Sequence, residues 1–186
     1  MDNAINRPRR LKHHDYGGTG LYFVTAITRN GACVLWDWRS VLADSIRQIG
    51  EAPDEEPLLS ECGEAARHYI QEIEHHYAGV KVEKYCILPN HVHMLIRFGT
   101  AAPSGRLIAA QTTLPTVIQQ MKQAMTKHLG ISVWARTYID RVVRDDREAE
   151  LLGRYIDSNV RFWQRDSLCP KIPKDRRYDW QEILKE

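Results

Sequence analysis

The sequence predicts an α+β fold of the split βαβ, ferredoxin-like (RRM-like) kind: one antiparallel sheet with helices on one face, extended by a C-terminal helix. Three observations carry this. Short β-branched and aromatic runs alternate with stretches of helical periodicity. Two of those runs, Val80 to Leu88 and His91 to Phe98, are separated only by Pro89 and Asn90 and therefore form a hairpin. The segments follow the order strand, helix, strand, strand, helix, strand.

The first strand, Leu21 to Thr28, follows the Gly-Gly-Thr-Gly punctuation and is rich in β-branched and aromatic residues. A short helical piece lies near Val41 to Ile49. Ala66, Tyr69, Ile70, Ile73 and Tyr77 recur at helical spacing and stop before Gly79. After the hairpin, Pro115 takes the first helical position behind Thr113 or Leu114. Val117, Ile118, Met121, Met125 and Leu129 then form an apolar stripe that Gly130 ends. Ile131 to Ala135 is the expected last strand. Asp145 and Glu148 make a D-x-x-E cap for a helix carrying Leu151, Leu152, Tyr155, Ile156 and Asn159.

A chain of 186 residues reads as one domain, 1–186, with a basic arm at 1–16, an acidic loop at 50–57, a small-residue loop at 99–105 and a tail at 167–186. The four cysteines include no C-x-x-C pair, which excludes a disulfide framework, a zinc ribbon and a thioredoxin-type site. No apolar run reaches the ~18 to 20 residues of a membrane span, and the N-terminus has no apolar h-region, so a cytoplasmic protein is expected. The net charge of +2 hides an uneven distribution. Residues 37–84 carry eleven acidic and five basic side chains, whereas residues 85–135 carry four basic ones and no carboxylate. What a polyanion meets depends on where that second stretch lies.

Alternation along the strand at 91–98 puts Val92, Met94, Ile96 and Phe98 on one face and His91 and His93 on the other. Two imidazoles ~7 Å apart along a strand can share one divalent ion, although two histidines can equally decorate a solvated face. No nearby carboxylate is expected to satisfy them otherwise. Tyr155 and Asn159 are i and i+4 on one helix face. Tyrosine at that spacing is ordinary core packing, but an asparagine in line with apolar residues needs partners. Its amide oxygen beside two imidazoles would complete a mixed N/O site, and a nearby phenol could attack a phosphodiester.

The string Tyr85-Cys86-Ile87-Leu88-Pro89-Asn90-His91-Val92-His93-Met94-Leu95-Ile96 resembles the hallmark of the HUH single-tyrosine transposases, U being a bulky apolar residue, and most closely their REP-associated branch. The resemblance spans most of the chain. It includes Arg9-Arg10-Leu11-Lys12-His13-His14-Asp15-Tyr16, Tyr22-Phe23-Val24-Thr25, Met121-Lys122, Trp134 and Asp140-Arg141-Val142-Val143-Arg144-Asp145. It continues through Tyr155-Ile156-Asp157-Ser158-Asn159-Val160-Arg161-Phe162-Trp163-Gln164-Arg165-Asp166, similar to a Y-I-x-x-N-P-x-x-W-x-x-D signature. What the resemblance implies is Mg²⁺ or Mn²⁺ held by His91, His93 and Asn159, with Tyr155 as the nucleophile. It further implies cleavage of single-stranded DNA through a 5′-phosphotyrosine at palindromic hairpins with a short adjoining single strand. The setting it implies is bacterial and nucleoid-associated. Val160 departs from the family's usual proline and lets the helix continue past the proposed ligand.

Arg9, Arg10, Lys12, Lys122, Arg136, Arg141 and Arg144 are the candidate DNA-binding cations, with Lys127 beside them. Two rivals stand against this reading. A histidine-triad hydrolase needs a third alternating histidine, and Leu95 occupies that position. A non-catalytic single-stranded nucleic-acid-binding module, including an inactive domesticated transposase relative, predicts binding indifferent to chelator and to loss of Tyr155. The adjacent pairs His13-His14 and His75-His76 diverge by ~100° on a helix and receive no role. Trp36, Trp38, Trp163 and Trp180 are expected to pack rather than to stack on bases, with exposure the deciding observation. The sequence is compatible with Tyr155 meeting His91 and His93 within one chain or across a homodimer.

Overall fold

The computed structural model describes residues 16, 18–46, 56–99 and 112–170. The arm with Arg9, Arg10, Lys12 and the His13-His14 pair, most of the 50–57 and 99–105 loops, and the tail beyond Pro170 with Trp180 lie outside the described residues. Along the chain run β1 (Gly20–Ile27), α1 (Trp38–Ile46), α2 (Glu61–His76), β2 (Val80–Leu88), β3 (His91–Phe98), α3 (Leu114–Leu129), β4 (Ile139–Val143) and α4 (Asp146–Phe162). The strands pair in the order β2-β3-β1-β4, every neighbour antiparallel, which is the split βαβ arrangement.

Side-chain alternation gives this sheet two apolar faces. Tyr22, Val24 and Ala26 of β1 join Val92, Met94, Ile96 and Phe98 of β3 on the first face, where α2 (Ala66, Ile70, Ile73) and α3 (Val117, Ile118, Met121, Met125) cover them. Leu21 and Phe23 join Cys86, Leu88 and Leu95 on the second, beneath Leu152, Tyr155 and Ile156 of α4 together with Trp36, Trp163 and Cys169. The C-terminal helix thus lies over the sheet's second face rather than beside its edge.

Local chemistry sets the ends of the helices. Ser60 caps α2 by accepting from the Gly63 N–H at 3.1 Å, and Gly63 admits no side chain, because a Cβ there would stand 2.0 Å from the Leu35 carbonyl oxygen. Thr113 caps α3, with Pro115 in its first turn, and Gly130 at φ 69° ends it in the left-handed region. Asp145 caps α4 by accepting from the Glu148 N–H at 2.8 Å. The helix runs on through Val160 to Phe162, where a single 3₁₀ turn, Trp163–Arg165, takes over.

One expected strand is corrected. Ile131 to Ala135 contributes only an isolated bridge between Trp134 and Thr28, and the edge strand is Ile139–Val143. Val133 and Trp134 are buried against the α2/α3 core, so the apolar character of 131–135 reflects closure of that core rather than membership of the sheet.

Candidate active site

The two histidines of β3 stand on the α4 side of the sheet, with His91 fully buried and His93 nearly so. Their Nε2 atoms converge to 3.0 Å. Each Nδ1 faces away to a partner: Asn90 Oδ1 at 2.8 Å for His91, and Thr25 Oγ1 at 2.8 Å for His93. Thr25 lies directly across from His93 in the β1–β3 register. Such outward contacts orient imidazoles that present their other nitrogen to a metal.

α4 and the turn after it complete the cluster. The Tyr155 hydroxyl donates to Asp166 Oδ2 at 2.9 Å and lies 3.5 Å from His93 Nε2. The same Oδ2 is 3.7 Å from His91 Nε2 and 3.8 Å from His93 Nε2. Asp166 Oδ1 accepts from the Leu168 N–H at 2.7 Å. Asn159 turns its amide nitrogen toward Asp166 Oδ2 at 3.4 Å, so it stands against the carboxylate rather than the imidazoles. All five side chains are buried.

Burial pushes the His91 imidazole down to about 3, with His93 adding to the fall and Asp166 opposing it, so His91 is neutral at ordinary pH. Burial alone would raise the Asp166 carboxyl, but His91, His93 and the Leu168 N–H outweigh it and hold the group below the usual carboxylate range. His91, His93 and Asp166 can coordinate a divalent ion. Their spacing fits one: donors about 2.1 Å from an octahedral centre stand about 3.0 Å apart in cis and about 4.2 Å in trans. The observed separations of 3.0, 3.7 and 3.8 Å fall within that range.

Asp166 overturns the expectation that no carboxylate stands near the histidines. It was legible only as the last letter of W-x-x-D, because it lies beyond α4, after the 3₁₀ turn Trp163–Arg165. From the sequence alone, Asn90 reads as a turn residue and Thr25 as a strand residue.

The candidate DNA-binding cations separate into groups. Lys122 and Arg136, with Lys127, line a groove of about 650 Å³ between α3 and residues 132–138. That groove is built on the helical layer covering the first face, away from the histidines. Lys122 Nζ donates to the carbonyls of Ala135 and Thr137 at 3.1 and 3.0 Å, and burial pushes its pKa down to about 8. Arg141 stands on the α4 side and is ion-paired with Glu148, whose other oxygen accepts from the exposed Arg144's backbone N–H at 2.8 Å. Trp36 and Trp163 are packed in the core, whereas Trp38 is 68% exposed. His75 and His76 each face Glu72 on the surface of α2. Among the described residues, no helix is long and apolar enough to cross a membrane.

Residues 55–159 match the family model described as "Transposase IS200 like". The chain belongs to the IS200-like transposase family. The matched segment contains His91, His93, Tyr155 and Asn159 but stops short of Asp166. A Haemophilus influenzae protein of unassigned function is 25% identical to this transposase, over 87% of the chain and 92% of its own length. Among solved structures, a REP-associated tyrosine transposase bound to a REP hairpin aligns at 16% identity over 80% of this chain and 72% of its own, with a TM-score of 0.48. A transposase-like protein of Deinococcus radiodurans aligns at 17% identity over 80% and 96%, with a TM-score of 0.38. Family membership and the buried donor cluster together give a metal-binding, nuclease-like transposase enzyme of the HUH kind.

Proposed function

We propose that this transposase cleaves and rejoins single-stranded DNA by transesterification, with Tyr155 as nucleophile and Mg²⁺ or Mn²⁺ held by His91 and His93 with Asp166 and the Asn159 amide alongside. The observation that carries this reading is the Tyr155 hydroxyl, 3.5 Å from His93 Nε2 and 2.9 Å from Asp166 Oδ2 within one chain. That these groups meet within one chain supports a site assembled in cis.

The ion, when bound, supplies Lewis-acid polarisation of the scissile phosphate. The chain's own residues do the rest. Tyr155 Oη attacks phosphorus, the bond to the 3′ oxygen breaks, and a 5′-phosphotyrosine forms while a 3′-hydroxyl leaves with a proton. The phenol gives up one proton and the leaving 3′ oxygen takes one up, exchanged through solvent, while Asp166 Oδ2, which accepts the phenolic hydrogen, orients the hydroxyl for attack. A later 3′-hydroxyl attacks the phosphotyrosine and restores both the strand and the phenol. The linkage energy is conserved, so no nucleotide triphosphate enters.

The substrate in this reading is a palindromic hairpin with a short adjoining single strand, of the REP type, met at the bacterial nucleoid. The α3 groove supports it, since its cations Lys122, Lys127 and Arg136 face no carboxylate among the groove's own residues. The arm with Arg9, Arg10 and Lys12, and the pair Arg141 and Arg144, are assigned further phosphate contacts. The arm, the acidic loop and the tail attach to one domain, 1–186. The test is a labelled hairpin-bearing single-stranded library with Mg²⁺ or Mn²⁺, read for a covalent protein–DNA adduct. The adduct is expected to vanish in Tyr155→Phe and in EDTA. DNA binding that persists with no adduct in the parent would replace this reading with a non-catalytic binding module.

A further inference from the structure

In a P-N-H-V-H string, the asparagine reads as a turn former, yet Asn90 is only 2% exposed. A buried primary amide must satisfy two donors and an acceptor. Asn90 Nδ2 donates to the Gly31 carbonyl at 3.2 Å and to the Leu168 carbonyl at 2.8 Å, while Oδ1 meets His91 Nδ1 at 2.8 Å. The two carbonyls permit only one orientation of the amide, because flipping it would press Oδ1 against two oxygens. Oδ1 can only accept, so His91 must carry its proton on Nδ1 and leave Nε2 bare.

The same amide reaches the carboxylate. The Leu168 carbonyl accepts from Asn90, and the Leu168 N–H donates to Asp166 Oδ1 at 2.7 Å. A single peptide unit thus links Asn90 to Asp166, whose Oδ2 faces the two imidazoles. Asn90 itself is held from the other side, its own carbonyl accepting from the Thr28 N–H at 2.8 Å and the Thr28 hydroxyl at 2.9 Å.

We propose that Asn90 is the positioning residue of the donor cluster. It fixes His91 in the tautomer that bares Nε2 and, through the Leu168 peptide, fixes Asp166 at the same point. This rests on reading His91, His93 and Asp166 as metal donors. It adds that β3 and the turn after α4 become ligands together. Loss of one outer partner of a ligating histidine typically weakens metal affinity by about 10- to 100-fold.

The experiment pairs two readouts on the full-length chain. Long-range ¹H–¹⁵N correlation spectra of the metal-free protein read the His91 tautomer directly, and Mn²⁺ titration followed by electron paramagnetic resonance reads affinity. The parent is expected to show His91 protonated on Nδ1. In Asn90→Ala, the Nε2-protonated tautomer becomes populated and Mn²⁺ affinity falls by about 10- to 100-fold. Asn90→Asp keeps the acceptor but loses both donors, so the tautomer is retained while affinity falls by about tenfold as Asp166 loses its tether. A folded Asn90→Ala that binds Mn²⁺ as tightly as the parent overturns the proposal. So does a parent spectrum with His91 protonated on Nε2, which decides the matter even where the variants fail to fold. A parent that binds no Mn²⁺ defeats the metal reading instead, and its spectrum still judges the tautomer.

Discussion

The two faces of the sheet carry the same strands but opposite chemistry. On the α2/α3 face, Val92, Met94 and Ile96 pack into one hydrophobic cluster. On the α4 face, the intervening residues of the same strand include His91 and His93, and six polar side chains (Thr25, Asn90, His91, His93, Asn159 and Asp166) are buried with Tyr155. The first face secures the fold through area removed from water. The second gives up part of that gain to hold polar groups in fixed orientations, which is affordable only because the opposite face already supplies a core.

Adjacent positions on β3 separate the two roles most sharply. His93→Ala is expected to abolish Mn²⁺ binding and the DNA adduct while leaving a folded protein, measured by titration and gel assay. Met94→Ala, one residue on, should cost about 2–5 kcal/mol in urea unfolding and leave the adduct yield per folded molecule unchanged. Equal loss of activity from both would erase the division. A smaller effect comes from the ion: at Mn²⁺ a hundred times its dissociation constant, the parent should gain about 2.7 kcal/mol of stability that EDTA removes and that His91→Ala never shows. Below that stands Tyr155→Phe, which forfeits one buried hydrogen bond to Asp166 and should cost about 1 kcal/mol of stability even as the adduct disappears.

A pH-dependent effect tests the α3 groove. Burial lowers the Lys122 pKa to about 8 from an unfolded value near 10.5. The unfolded chain therefore binds more protons between those values, and stability should rise with pH across that window, the penalty for folding a charged lysine being present in full below it. Lys122→Met should flatten the rise in urea midpoints measured from pH 7.5 to 10.5.

Much of this was legible in the sequence because it is encoded locally. The hairpin, the Thr113 and Asp145 caps and the Gly130 stop depend on neighbours within four residues, and all stand as read. The alternation of β3 also assigned its two faces correctly. The edge strand was misplaced because Val133 and Trp134 carry stronger apolar character than IDRVV, whose side chains are only half buried. Asp166 escaped because its role is set by the 3₁₀ turn at Trp163–Arg165, which carries the chain back over the histidines after the helical period has ended. Asn90 escaped because its partners, Gly31 and Leu168, lie 59 and 78 residues away.

By Val143 the chain has supplied all four strands and both helices of the α2/α3 face, and Tyr155, Asn159 and Asp166 come only afterwards. Synthesis proceeds from the N-terminus at about 5–20 residues per second, and a sheet with one finished core can assemble before the segment beyond Val143 leaves the ribosome. The buried cluster of donors and phenol is therefore completed last, upon a scaffold already standing. A message truncated between codons 144 and 154 encodes every residue of the α3 groove yet lacks Tyr155, Asn159 and Asp166, and is expected to give no DNA adduct.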